Sequence, residues 1–166
     1  MSKYLGKKFF LNLFIVICIF SLDRISKFYV INLSKNNDTN ILLLSKYLNI
    51  SLTWNEGIAF GLFSFNEIFF YNLMTFLILI VVIIIFIMIM KNTGLKQFSL
   101  LIIFGGAIGN LYDRIYFNAV PDFIDFHVGN FHWFIFNVSD IFITIGVLLM
   151  IAMELIDYKK GADEKI

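Results

Sequence analysis

The sequence has few of the residues that shape secreted, loop-rich or highly charged proteins. Its 166 residues include one cysteine, one proline and only 15% charged residues. The single cysteine, Cys18, excludes an internal disulfide and a thiolate metal cluster. Hydrophobic residues make up 60% of the chain, and mean hydropathy is +0.85, whereas a soluble domain has about 45–50% apolar residues. We therefore expect an integral membrane protein of one domain.

Several catalytic motifs are also absent. The sequence contains no H-E-x-x-H, no G-x-S-x-G and no P-loop motif. The residues that zinc peptidases, serine hydrolases and nucleotide hydrolases of these classes require are therefore absent. The two histidines, His127 and His132, lie in a predicted loop among aromatic residues, where an interfacial role is favoured over metal binding. No metal or cofactor is expected. A net charge of +1 gives no indication of a nucleic-acid partner.

Four apolar runs are predicted to cross a membrane, whose hydrocarbon core needs about 20 helical residues. The first follows basic residues, as in a signal peptide, but no small-x-small cleavage site comes after it. Instead, charged residues at 23, 24 and 27 are followed by more apolar ones, so this helix is expected to continue. The predicted membrane helices are residues 8–31, 68–90, 96–114 and 134–156, all approximate.

Basic residues predict the orientation of these helices. If the N-terminus is cytoplasmic, eight of the 13 basic residues fall on the inner side, in agreement with the positive-inside rule. Eight of the 12 acidic residues then fall on the outer half. Both termini are therefore predicted to be cytoplasmic, and any active site is predicted to face outward.

Two outer segments, about 32–67 and 115–133, join the predicted helices. Alternation over Leu48–Trp54 predicts a strand, Asn55–Gly57 a turn and Ile58–Phe63 a returning strand. The expected fold class is membrane all-α: a four-transmembrane-helix bundle with a small periplasmic β-sheet.

Polar residues gather toward the outer ends of three predicted helices. At helical spacing they share faces, and the glycines among them are interpreted as sites of close helix packing. Charged groups near hydrocarbon cost about 2.5–3.5 kcal/mol each on insertion scales, so they are expected to be paired, hydrated or functional. The clustered residues are Asp23 and Lys27, then Gly106, Gly109, Asn110 and Asp113, then Asn137, Asp140 and Thr144.

The aspartate carboxyl groups are the candidate catalytic groups among these residues. Two aspartates about 3 Å apart cannot both be ionised, so one keeps a proton and the other acts as a base. Such a pair can activate water and hydrolyse a peptide bond.

Five ordered motifs cover nearly the whole chain: Asp23 with Lys27, Asn55–Gly61, Gly105–Arg114, Val120–Asp125 and Phe136–Asp140. Together they resemble the motifs of lipoprotein signal peptidases, the type II signal peptidases. Two positions depart from the family pattern: Pro121 stands where valine is common, and Ser139 where alanine is usual. Pro121 fixes φ near −65°, which suits an extended loop leading to Asp122.

The resemblance implies an aspartyl endopeptidase of the bacterial inner membrane. It would remove signal peptides from diacylglyceryl-modified prolipoproteins, cutting before the lipidated cysteine, with Asp122 and Asp140 as the catalytic pair. Asp113 is the rival candidate, but it adjoins Arg114, so an ion pair or a helix-end role suits it better. Prolipoproteins and membrane lipids are the implied partners, and a monomer is expected. The implied supporting residues are Asp23, Lys27, Asn55, Gly57, Asn110, Asp113, Arg114, Asn137 and Ser139.

Three other interpretations remain open. The polar residues could only hold helices together, although this explains poorly why acidic residues collect on the outer half. A small proton-coupled carrier would use an intramembrane Asp with Lys, but no inverted repeat is detectable. A lipid transferase could hold Mg²⁺ and a diphosphate through Asp122 and Asp125.

Overall fold

The computed structural model describes residues 2–36, 41–57 and 68–163. Within these ranges it contains four helices, each long and apolar enough to cross a membrane, and one small sheet. The expected fold class is confirmed. The helices are α1 (Ser2–Asn36), α2 (Ile68–Lys91), α3 (Gly94–Phe117) and α4 (Val138–Asp163). The strands are β1 (Ile41–Leu43), β2 (Leu48–Asn55), β3 (Val120–Val128) and β4 (Phe131–Phe136).

The central helix of the bundle is α3, which packs against α1, α2 and α4. In its most apolar stretch 61% of the residues are buried, compared with 11% in each of the other three helices. Mean hydropathy over that stretch is only 1.3, the lowest of the four. Because most of α3 is covered by the other helices, it needs less lipid-facing apolar surface and can carry polar residues.

Side-chain contacts show that neighbouring helices are antiparallel. Tyr71, at the start of α2, donates from its hydroxyl to the carbonyl of Arg114, near the end of α3, at 3.2 Å. At the opposite end of the bundle, Lys96 of α3 pairs with Glu154 of α4 at 3.0 Å and with Asp157 at 2.8 Å. The end that holds Tyr71 and Arg114 is called the sheet end below, because the four strands pack there.

The sheet is antiparallel throughout, with strand order β1-β2-β3-β4. Leu52 of β2 and Phe123 of β3 are buried against Val30 of α1, so the sheet is fixed to the end of that helix. The strand predicted over Leu48–Trp54 is confirmed as β2. The second predicted strand, Ile58–Phe63, lies outside the described residues, and β2 pairs with β1 and β3.

The second outer segment differs from the expected loop, because it contains β3 and β4. Five of the first six residues of β3 are buried, so both faces of the strand are covered there. A strand buried on both faces lacks the alternation of apolar and polar residues by which strands are predicted. Pro121 therefore lies in a strand, opposite Trp54 of β2. Pairing of β3 with β4 begins only at Ile124, so the missing N–H of Pro121 removes no hydrogen bond to β4.

Two helix boundaries also differ from the predicted ones. The fourth helix was expected to begin at about Phe134, but residues up to Phe136 form β4, and α4 begins at Val138. The first helix extends to Asn36, beyond the expected end near residue 31, since the charged side chains along it are paired inside the protein.

Two glycines of α3 permit its close approach to α1 and α4. A Cβ atom added at Gly106 would lie 2.6 Å from the carbonyl oxygen of Ser139 in α4. At Gly109 it would overlap the Ser139 hydroxyl and lie 2.8 Å from a carboxylate oxygen of Asp23 in α1. The interpretation of these glycines as packing residues is confirmed.

Gly109→Ala is expected to lower thermal stability in detergent, because the added methyl group forces α1 and α4 away from α3. Overpacking of this kind costs about 1–3 kcal/mol. Gly6→Ala in α1 is the matched control, since no atom lies within 4 Å of its added Cβ. Equal melting temperatures for the two variants would contradict the packing role of Gly109.

Candidate active site

Four charged side chains form a cluster between α1 and α3. Asp23, Arg24 and Lys27 come from α1, and Asp113 comes from α3. Lys27 Nζ lies 2.9 Å from Asp23 and 2.6 Å from Asp113, and Arg24 lies 2.5 Å from each of the same two carboxylates. Both aspartates are fully buried, and Lys27 is only 2% exposed. Two acids and two bases make this cluster neutral.

The expected pair of Asp23 with Lys27 is confirmed, but the partners of Asp113 are Arg24 and Lys27 instead of Arg114. Successive residues on an α-helix point about 100° apart, and Arg114 faces a cavity on another side of α3. No role in the site was predicted for Arg24 from the sequence. A signal existed, because an arginine within a membrane helix requires a partner, and two aspartates were available.

The charged cluster is connected to Asp140 through Asn110. Lys27 donates to the side-chain oxygen of Asn110 at 2.9 Å, and the Asn110 amide nitrogen donates to Asp140 Oδ1 at 2.7 Å. The cation therefore fixes the orientation of the amide, with its N–H groups directed toward Asp140.

Asp140 and Asn137 form a reciprocal pair of hydrogen bonds at the start of α4. The Asp140 N–H donates to the side-chain oxygen of Asn137 at 3.2 Å, and the Asn137 N–H donates to Asp140 Oδ2 at 3.1 Å. This is the geometry of a capping box, in which two otherwise unpaired N–H groups at a helix start are satisfied. Asn137 thus lies just before α4, whereas it was expected on the helix.

Asp122 reaches the same place from β3. The amide nitrogen of Asn137 donates to Asp122 Oδ1 at 2.6 Å, and that of Asn55, at the end of β2, donates to Asp122 Oδ2 at 2.9 Å. The Asn55 side-chain oxygen accepts the Gly57 N–H at 2.9 Å, which fixes this amide as well. Asn137 therefore contacts both candidate acids.

The pKa of Asp122 is raised from its ordinary value of 3.8 to about 6. Burial is the largest cause, and the negative charge of Asp140 is the second. Hydrogen bonds from Asn55 and Asn137 and the positive charge of Lys27 act in the opposite direction. A buried carboxyl with such a pKa is typical of groups that exchange protons near neutral pH.

Asp122 and Asp140 line one cavity of about 300 Å³ at the sheet end. Its other walls are largely apolar and include Ile78 of α2 and Ile143 of α4. Arg114 also lines this cavity, and its buried Nε has no hydrogen-bond partner among the described residues. The cavity thus offers two carboxylates, one cation and apolar walls to an extended ligand.

Ser139 contributes through its backbone. Its N–H donates to Asp23 Oδ1 at 3.0 Å, which joins the charged cluster to the start of α4. Its hydroxyl is buried without a hydrogen-bond partner in the described part of the chain. An alanine at this position would keep the backbone contact, so the departure from the family pattern leaves the site geometry unchanged.

The structure does not support a paired Mg²⁺ site at Asp122 and Asp125. Asp122 faces Asn55 and Asn137, whereas Asp125 faces Asn49 and His132. Among the described residues, no group of three or more His, Cys, Asp or Glu side chains could hold a metal ion. The histidines, expected in a loop, lie on β3 and β4.

Fold and site together define an integral membrane protein with a buried two-aspartate site where a helical bundle meets a sheet. The family model of signal peptidase (SPase) II matches residues 15–156. The chain therefore belongs to the signal peptidase II family, which is a family of peptidases.

Individual relatives agree with this assignment. The chain is 46% identical over 165 residues to the lipoprotein signal peptidase of Pelagibacter ubique, covering 99% of both chains. It is 38% identical over 156 residues to that of Anaplasma phagocytophilum, covering 90% of this chain and 94% of the relative. A solved structure of a bacterial membrane enzyme matches 90% of both chains, with a TM-score of 0.71 and 29% identity.

Lys27→Met is expected to destabilise the protein strongly, because it leaves two buried carboxylates with Arg24 alone. Removing one partner from a buried ionic group costs about 3–5 kcal/mol. Melting temperature in detergent measures the effect. Lys96→Met is the matched control, since its ion pairs with Glu154 and Asp157 are solvent-exposed. A melting temperature for Lys27→Met as high as that of the control would refute the structural role of the cluster.

Proposed function

We propose that this chain is a single-domain aspartyl endopeptidase that removes signal peptides from diacylglyceryl-modified prolipoproteins. It cuts the peptide bond just before the lipidated cysteine. Membership of the signal peptidase II family supports this proposal, as do relatives named lipoprotein signal peptidase.

The observation that carries the mechanism is the position of Asn137 between two carboxylates. Its side chain donates to Asp122, and its backbone N–H donates to Asp140. Both carboxylates line the same cavity, although they lie on different elements. One water molecule held between them would face two carboxyl groups and apolar walls.

Hydrolysis then follows the chemistry of a carboxyl pair. The ionised carboxylate removes a proton from water, the water attacks the scissile carbonyl, and the protonated partner donates to the carbonyl oxygen. The roles exchange as the amine leaves. Asp122 can carry the shared proton, because its pKa is raised to about 6. Asp140, which accepts N–H groups from Asn110 and Asn137, is then the ionised partner.

Arg114 and Asn110 position the substrate in this proposal. The unpartnered Nε of Arg114 is available to a peptide carbonyl oxygen, which would satisfy a buried donor. Asn110 holds Asp140, and the apolar walls accept the apolar end of a signal peptide. Asp23, Lys27 and Asp113 support the pair through the charged cluster.

The proposed location is the bacterial inner membrane, with the sheet end toward the periplasm. The distribution of basic residues supports this orientation, in which both termini would be cytoplasmic. Exposed apolar side chains run along α2, so its faces away from α3 would contact lipids. The protein would act as a monomer and without a cofactor.

Asp122→Asn and Asp140→Asn are each expected to abolish cleavage of a lipidated precursor in liposomes, since neither variant retains two carboxyl groups. The fall in rate should be at least 1,000-fold, on the order expected for loss of general acid–base catalysis. Gel mobility of the precursor measures cleavage, and melting temperature confirms that the variants are folded.

Asp157→Asn is the matched control, because Asp157 lies at the opposite end of the bundle and pairs with Lys96. This variant should cleave at the wild-type rate. Wild-type cleavage should also persist in EDTA. Retained cleavage in either active-site variant would reject the pair, and loss of activity in EDTA would favour a metal-dependent reaction.

The raised pKa of Asp122 predicts a pH-dependent loss of stability. A carboxyl whose folded pKa lies above its unfolded value stabilises the fold fully below about pH 4, and this contribution disappears as the pH rises through 6. A shift of about two pKa units corresponds to about 3 kcal/mol. The melting temperature of the wild type should therefore fall relative to that of Asp122→Asn between pH 4 and about pH 7.

Asp157→Asn is the control for this comparison, and its difference from the wild type should show no transition near pH 6, because Asp157 lies at the opposite end of the bundle. A constant difference between wild type and Asp122→Asn would show that Asp122 titrates at its ordinary pKa.

A further inference from the structure

Asp125 and His132 form a carboxylate–imidazole pair on neighbouring strands of the sheet. His132 Nδ1 lies 2.8 Å from Asp125 Oδ2 and 3.0 Å from Oδ1. The carboxyl group of Asp125 is buried and accepts a second hydrogen bond from Asn49 at 3.3 Å. The imidazole of His132, in contrast, is 54% exposed. The mechanism proposed above uses neither residue.

Two contacts fix the orientation of the His132 ring. Nδ1 faces Asp125, and the ring stacks on His127 with centroids 5.0 Å apart and planes inclined by 22°. His127 is itself held between the carbonyl oxygens of Ser45 and Gly129. The second nitrogen of His132, Nε2, therefore points away from Asp125, and it has no hydrogen-bond partner in the described parts of the chain.

His132 lines a second cavity, of about 460 Å³, on the sheet side of the site. Asn55 and Asp122 line both cavities, so the two meet at Asp122. The first cavity extends among helix residues such as Ile78 of α2 and Ile143 of α4, whereas the second is lined by residues of β2 and β4 and of the turn after β2. An extended peptide crossing Asp122 would therefore pass from the helical bundle to the sheet.

We propose that His132 is a substrate-binding residue whose Nε2 hydrogen-bonds the peptide backbone of the polar segment that follows the lipidated cysteine. Asp125 is the positioning residue that orients the ring. This inference rests on the proposed function, and it assigns the second cavity to the mature side of the scissile bond. A prolipoprotein fits this assignment, because its signal peptide is apolar and its mature chain leaves the membrane.

Three variants separate binding by Nε2 from a structural role. His132→Phe keeps a ring that can stack on His127 but loses both nitrogens. His132→Gln places an amide near the position of Nε2, and His132→Asn places one near Nδ1, which faces Asp125. With a full-length lipidated precursor, His132→Phe should raise KM about tenfold with little change in kcat, as expected for one lost hydrogen bond. His132→Gln should restore most of the affinity for this precursor, and His132→Asn should not.

A second substrate makes the test specific to the mature segment. It is a lipidated precursor that ends in an amide directly after the modified cysteine. Wild type and His132→Phe should cleave this short substrate with the same KM. Rescue by Asn instead of Gln, or an equal rise in KM for the short substrate, would overturn the assignment of Nε2. Failure of the wild type to cleave either precursor would instead refute the proposed function.

Discussion

The rest of the structure depends on a neutral cluster of buried charges. Asp23 and Asp113 lie between Arg24 and Lys27, so each cation contacts both carboxylates. Ions removed from water are stable only when their partners satisfy them, and this arrangement does so without net charge. The cluster also supplies an acceptor for the N–H of Ser139 and a donor for Asn110. It thereby fixes α1, α3 and the start of α4 relative to one another.

The membrane explains why the charges of this cluster meet between α1 and α3. Helices that face lipid must be apolar, and α2 has a mean hydropathy of 3.4, whereas α3, largely covered by its neighbours, has 1.3. Apolar burial gives little attraction between helices in lipid, so close backbone contact and polar bonds have to hold the bundle together. Gly106 and Gly109 permit that contact at the level where the charges lie.

The sequence predicts contacts within one element better than contacts between elements. The Asp23–Lys27 pair follows from helical spacing, and β2 follows from alternation. In contrast, the contact between Arg24 and Asp113 joins residues 89 positions apart, which no local period reveals. The strand β3 was missed because burial on both faces removes its alternation. The proposed roles of Asp122 and Asp140 came from the family resemblance, and their shared cavity required the tertiary structure.

Asn137 shows how the start of a helix and a candidate active site become one feature. The capping box satisfies two N–H groups at the start of α4 and also fixes the Asp140 carboxylate. The side-chain amide of Asn137 donates to Asp122. The hydrogen bonds that cap α4 therefore also orient Asp140, whereas Asp122 is positioned by its strand, β3. Because α4 is held in turn by Asp23, the separation of the two carboxyl groups depends on the charged cluster between α1 and α3. A water between these carboxyls would thus meet groups whose positions were fixed when the protein folded, which is the preorganisation that catalysis by a carboxyl pair requires.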